Sequence, residues 1–211
     1  VVIGILIALQ INNWNTSRSD AQVIENFMNS MQSNLKEDMD LLVQLDKKRK
    51  DAQKTFPKIQ RDLDSKLISD VDTFNLGFGL AISEAQFIAN RSGFTGLMNS
   101  GFIEKVPFSI AEKLYRYYFL VDDLNRVELK YNTFCEEMES KMHLSKGVVA
   151  GLLQIMGSKQ RVDVSLEDYL VIAPLEAIFL RGPYDIGEIL RLYKQLKEKG
   201  EELLLDIRAI G

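Results

Sequence analysis

One cysteine, one histidine, one tryptophan and four prolines are all that the 211 residues hold of these types, and each scarcity closes off a class of protein. With Cys135 alone, neither an internal disulfide nor a cysteine-rich metal site can be built, and the flanking Phe134 and Met138 favour burial of the thiol. His143 has no second histidine, cysteine pair or carboxylate at ligand spacing, so a zinc site or a histidine-based triad would be incomplete. Scarce proline leaves long stretches of 3.6-residue periodicity unbroken, which points to an all-α domain. No charge of one sign prevails: 26 Lys and Arg against 30 Asp and Glu leave a net −4. The two signs are interspersed, and no nucleic-acid partner is expected without a basic field. What is plentiful is apolar side chain, 46% of the chain, enough at this length for one good core.

Apolar residues crowd the start of the chain. Residues 1–11 read VVIGILIALQI and are followed by Asn12, Asn13, Trp14 and Asn15. An apolar run stopped by amides and an aromatic suited to the headgroup layer reads as the closing half of a transmembrane helix. Crossing about 30 Å of hydrocarbon takes roughly 20 apolar residues, so the rest of such a span is expected upstream of Val1. The anchor would be formed by Val1, Val2, Ile3, Ile5, Leu6, Ile7, Leu9, Ile11 and Trp14, with a soluble domain over 16–211 after an anchor over 1–15. A buried strand also suits the β-branched Val1, Val2, Ile3, Ile5, Ile7 and Ile11. A signal-peptide core suits the length but lacks a cleavage site before Asn12.

These fifteen residues, VVIGILIALQINNWN, resemble the closing half of the N-terminal signature of a family of small single-pass membrane proteins of unknown function, widespread in bacteria of the Bacteroidota type. A second patch, Leu97, Ser100, Gly101, Ile103, Leu114, Tyr117 and Tyr118, is similar to that family's mid-domain pattern, L..SG.I followed by L..YY. The resemblance implies an inner-membrane anchor with a helical domain on the periplasmic side. It implies no catalytic residue and no cofactor.

From Ala21 the apolar positions Ile24, Met28, Met31, Leu35, Leu42 and Leu45 fall three or four apart, with one seven-residue gap where Asp38 stands, and predict a stalk helix up to Phe56 that is nearly continuous with the anchor and bent around Asn12 to Ser19. A second helical piece is predicted over Pro57–Leu67, with Pro57 in its first turn, and a loop over Ser69–Gly79. Ser83–Ser100 reads as a helix with Phe87, Ile88, Phe94, Leu97 and Met98 inward and Gly101 as its C-terminal cap. After Pro107 comes the most regular segment: Ile110, Leu114, Tyr117, Val121, Leu124, Tyr131, Cys135, Met138 and Met142, interrupted by Glu128 alone, a helix of roughly nine turns. Between Leu144 and Gly187 short helices are predicted over Val148–Met156 and Leu166–Leu180, and Ile186 to Ile207 closes the chain with an amphipathic helix. The architecture expected is a long-helix antiparallel bundle.

No segment carries a reaction by itself. Gly77-Phe78-Gly79 and Gly93-Phe94-Thr95-Gly96 lack the Lys-Ser/Thr of a phosphate loop and the strand-turn-helix of a dinucleotide site, and read as turn or helix-crossing glycines. Gly147 and Gly151 read as close packing in the soluble core rather than membrane contact. Glu136, Glu137 and Glu139, like Asp122 and Asp123, point to different helix faces. The basic run Lys47 to Lys50 lies roughly 32 residues past Asn15, about 48 Å along a helix, too far for headgroup attraction, and reads as a solvated helix end or turn. Two charges stand out. Arg91 is alone between Glu84 and Glu104, and Glu176 is alone between Asp168 and Arg181, each in an apolar stretch where a buried ion needs a partner. Either they are structural or exposed charges, or Arg91 with Tyr115, Tyr118 and Glu176 marks a ligand or partner site for an anionic group.

The reading that results is a membrane-anchored interaction, scaffold or sensory module that is not an enzyme and uses no metal or cofactor. Membrane lipid, a second copy through the stalk helix and an unidentified protein are its expected partners. A membrane-tethered hydrolase or transferase and a purely structural coiled-coil spacer are the alternatives.

Overall fold

The computed structural model describes residues 2–144 and 173–210, and every regular element among them is helical. In chain order these are α1 (Val2–Ser65), α2 (Val71–Ile82), α3 (Ser92–Asn99), a 3₁₀ turn (Phe102–Lys105), α4 (Phe108–Leu144) and α5 (Ala173–Ile210). The all-α expectation holds. The helix expected over Val148–Met156, the Gly147/Gly151 pair, the first part of Leu166–Leu180 and the side chain of His143 lie outside the described residues.

Three long helices form because their sequences repeat apolar residues every 3.5 positions on average, the spacing that keeps one seam facing a partner helix. In α1 the buried stripe follows Met28, Met31, Leu35, Asp38, Leu42, Arg49, Ala52, Phe56, Ile59 and Leu63, with Asn34 and Asp62 buried beside it; in α4 it runs from Ile110 through Glu128 to Met142 in unbroken steps of three and four. The buried stripe of α5 is wider, with neighbouring pairs such as Ile178 and Phe179, Asp185 and Ile186, Leu192 and Tyr193, and Leu203 and Leu204. A wider stripe is what a helix needs when it packs on two others at once.

The chain forms two compact units, one from residues 1–41, 88–121 and 196–211 and the other from 42–87 and 122–195. In the first, Gly200 of α5 lies against Met39 of α1 and Tyr117 of α4, Lys113 of α4 pairs with Glu202 and Asp206, and Ile207 shares a groove with Met28. Helix α5 is therefore antiparallel to both α1 and α4, whereas α1 and α4 run the same way. The antiparallel expectation thus fails for the α1–α4 pair, because the connection from Lys66 to Pro107 carries the chain back to the end from which it started. In the second unit Gly182 of α5 faces Phe56 of α1 and Tyr131 of α4, and Phe56 and Phe74 meet Phe179, ring centroids 5.9 and 6.4 Å apart.

Several local expectations are corrected. Helix α1 runs through Pro57 without a break: Pro57 is exposed while Phe56 and Ile59 are buried on either side, so the carbonyl left without a donor can be met by water. It stops at Lys66 in a Schellman arrangement, with Lys66 N–H bonded to Leu63 O at 3.2 Å, Leu67 N–H to Asp62 O at 3.1 Å, and Lys66 in the left-handed region at φ 52°. Residues 71–79, within the loop expected over Ser69–Gly79, belong to α2 because Asp70 accepts from the N–H groups of Asp72 and Thr73 and because Gly77 lets α2 press onto Thr55 and Ile59 of α1. Within the stretch read as a helix from Ser83, residues 84–91 form a non-helical strap and only Ser92–Asn99 is α3; Ile88, expected inward, is exposed. Gly101 does end that helix as expected, at φ 75° with its N–H on Met98 O.

Candidate functional site

The N-terminal part of α1 stands apart from the packed core. Every residue from Val2 to Ser19 is exposed, including Val2, Ile3, Ile5, Leu6, Ile7, Leu9, Ile11 and Trp14, each between 52% and 73% accessible. Val1 lies outside the described residues. At 100° per residue these side chains point around nearly the whole circumference, and Gly4 and Ala8 fill the remaining arc. No charge interrupts the segment before Arg18, whose guanidinium carbon lies 5.7 Å from the centroid of the Trp14 ring. Among the described residues no helix is long and apolar enough to cross a membrane, as a mostly apolar run of this length implies.

Arg91, Tyr115 and Tyr118 are brought together in the first unit. The Arg91 guanidinium lies 5.3 Å from the Tyr118 ring centroid, Phe94 stacks on the Tyr118 ring with centroids 4.3 Å apart, and Tyr115 meets Phe94 edge-on at 5.7 Å. The cluster is thus a stack of rings packed on one another, tied down where the Tyr118 hydroxyl donates to Asn90 O at 3.4 Å and Tyr115 to the Met98 sulfur at 3.1 Å. Arg91 is half-buried at the turn into α3. Glu176 belongs to the second unit and is exposed in the first turn of α5, where an acidic side chain is favoured by the helix dipole. Neither is fully buried.

The buried charges lie elsewhere. In the first unit Asp38 accepts from Asn90 N–H at 2.9 Å and from the Tyr117 hydroxyl at 3.0 Å. Burial raises its carboxyl above the ordinary aspartate range, against the pull of those two bonds. In the second unit Glu128, with no accessible surface, accepts from Phe87 N–H at 2.7 Å and from the Tyr193 hydroxyl; burial again raises its carboxyl, opposed by Tyr193, Phe87 and the charge of Arg49. Arg49, equally enclosed, donates through Nη2 to Ala85 O at 3.0 Å and lies 5.1 Å from the Tyr131 ring centroid. The basic run Lys47 to Lys50 is accordingly mid-helix: Arg49 faces the core, and Lys48 donates to Glu84 O at 3.1 Å. Asp38 and Glu128 are fixed to the strap by backbone bonds and screened from solvent, an arrangement that holds a chain segment in place. Cys135 is buried, its thiol pushed up to about 11 chiefly by desolvation, which makes it a poor nucleophile.

A half-open groove of about 520 Å³ in the first unit has an apolar floor of Ala21, Ile24, Met28, Pro107 and Ile207. Glu25, Lys105 and Arg208 stand on the same lining, and Lys105 is already paired with Asp20. Among the described residues no group of three or more His, Cys, Asp and Glu side chains is placed to hold a metal ion.

Residues 1–150 match DUF6090, a family of unknown function. No curated protein and no solved structure matches the chain.

Proposed function

The chain belongs to the DUF6090 family, and from that premise we propose that it is a membrane-associated helical module that acts by binding rather than by chemistry, held to a bilayer by residues 1–14. The observation that carries the reading is the all-round exposure of Val2 to Trp14 on an uncharged helix. A helix apolar on one side only would suit a protein groove, whereas one apolar on every side suits a solvent of hydrocarbon. Burying one such side chain is worth about 1.5–3 kcal/mol, so seven aliphatic residues left in water would be a large liability. The resemblance of these residues to the single-pass inner-membrane family supports a helical body on the periplasmic side. The fully enclosed state of Asp38 and Glu128 favours binding over catalysis, since neither carboxylate is presented to a substrate.

Membrane fractionation tests the proposal. The chain expressed in bacteria is expected in the pellet after a carbonate wash, and Val2→Lys with Ile3→Lys is expected to move most of it to the supernatant, because these positions lie nearest the middle of such a span and a lysine near the centre of a bilayer costs about 2.5–3.5 kcal/mol. Wild-type protein released by the wash would overturn the reading.

A further inference from the structure

We propose that Trp14 and Arg18 form a phospholipid seat, the indole lying at the glycerol level of a bilayer and the guanidinium over its face binding the headgroup phosphate, so that the pair sets how far the apolar helix enters. This rests on the membrane reading above. Four observations carry it. First, the two side chains are one turn apart and already stacked, 5.7 Å from guanidinium carbon to ring centroid, with Trp14 62% accessible and Arg18 exposed; the pair is assembled but covered by nothing. Second, no charged residue stands between Val1 and Arg18, and between Arg18 and Ile11 stand only Asn12, Asn13, Trp14, Asn15, Thr16 and Ser17, uncharged groups suited to the wet interfacial layer. Third, the next charge, Asp20, is paired with Lys105, so its carboxylate is neutralised locally and does not set a negative charge against a phosphate.

The fourth is dimensional. Trp14 lies about 4–5 Å above Ile11 along the helix axis and Arg18 about 10 Å above it. The polar zone of one leaflet is roughly 5–8 Å deep. Helical side chains lean towards the N-terminus, which brings the Arg18 guanidinium down over Trp14, into the phosphate layer rather than beyond it. A guanidinium offers a planar fork of donors to a phosphate and stacks on an aromatic face at the same time, whereas a neutral headgroup offers it no counter-charge.

Trp14 is the only tryptophan, so its fluorescence reports the seat directly. The chain is mixed with phosphatidylcholine vesicles brominated either near the carbonyls or near the chain ends, and with vesicles of a digalactosyl lipid that has no phosphate, and flotation is scored alongside emission. Expected are a blue shift, stronger quenching by the shallow bromines than by the deep ones, and binding about five-fold weaker for Arg18→Gln on phosphatidylcholine but unchanged by it on the galactolipid. Arg18→Lys, which keeps the charge without the planar stack, should fall between. Failure to float with any vesicle overturns the membrane reading itself. Flotation with Trp14 emission still water-like, with deeper quenching than shallow, or with Arg18→Gln equal to wild type on phosphatidylcholine, leaves that reading standing and overturns the seat.

Discussion

Asp38 and Arg49 of α1 and Glu128 of α4 are charged side chains on the apolar beat of a helix. Asp38 stands where a core residue is due between Leu35 and Leu42, Arg49 comes one heptad after Leu42, and Glu128 falls between Leu124 and Tyr131. The breaks at Asp38 and Glu128 were legible in an otherwise regular stripe, whereas Arg49 reads as part of a solvated basic run; the partners were not legible, because the N–H groups that the two carboxylates accept from and the carbonyl that Arg49 donates to belong to residues 84–91, whose apolar spacing resembles a helix. Arg91 and Glu176 are the opposite case. Each has apolar neighbours in sequence but sits where a helix begins, and a helix start offers even a charged side chain a way out to solvent. Asp38 also makes a testable demand. Its carboxyl is raised by burial, so its contribution to stability is complete below the ordinary aspartate range and is lost as pH climbs through the raised value. Asp38→Asn preserves the shape and removes the titration, so it should match wild type in acid and become relatively more stable towards neutral pH. Urea unfolding of both proteins across that interval checks it, and an identical pH dependence would mean that Asp38 is not penalised by its burial.

At the scale of elements, the long helices were readable and their ends less so. Seams repeating every 3.5 residues mark α1, α4 and α5 whatever lies between them, and this repeat outweighs Pro57 and Pro183, both of which are inside helices. Helix α2 escaped notice because Gly77 and Gly79 look like loop residues; Gly77 is needed instead where two helices cross without room for a side chain. The end of α1 carries a residue under strain. Lys66 adopts φ 52°, a region that disfavours any residue with a Cβ by about 1–2 kcal/mol, and its side chain is exposed. Lys66→Gly should therefore stabilise the protein by about 0.5–1 kcal/mol, the relief being partly offset by a freer unfolded chain, and raise the melting temperature by about 1–4 °C. Calorimetry decides this, and a lower melting temperature would show that Lys66 is not strained.

For the whole molecule, composition and periodicity were enough for an all-helical body, but not for helix direction. Whether α4 runs with α1 or against it depends on the connection from Lys66 to Pro107, and no side-chain pattern within either helix records that. The same connection contains the strap, with consequences beyond topology. Phe87 N–H is held by Glu128 and Asn90 N–H by Asp38, and the strap carbonyls of Ala85 and Asn90 accept from Arg49 and Tyr118. Backbone amides in stretches without regular structure ordinarily trade hydrogen for deuterium through small local openings. These two cannot reach solvent in that way while a buried carboxylate on a long helix holds them. Each should retain its proton as long as the most protected amides of its own unit, Phe87 with those around Leu124 and Asn90 with those around Leu35, so that an exchange map would find a stretch without helix as slow as the helix core. Fast exchange at both would show that the strap peels away by itself, leaving the helices to keep their shape without it.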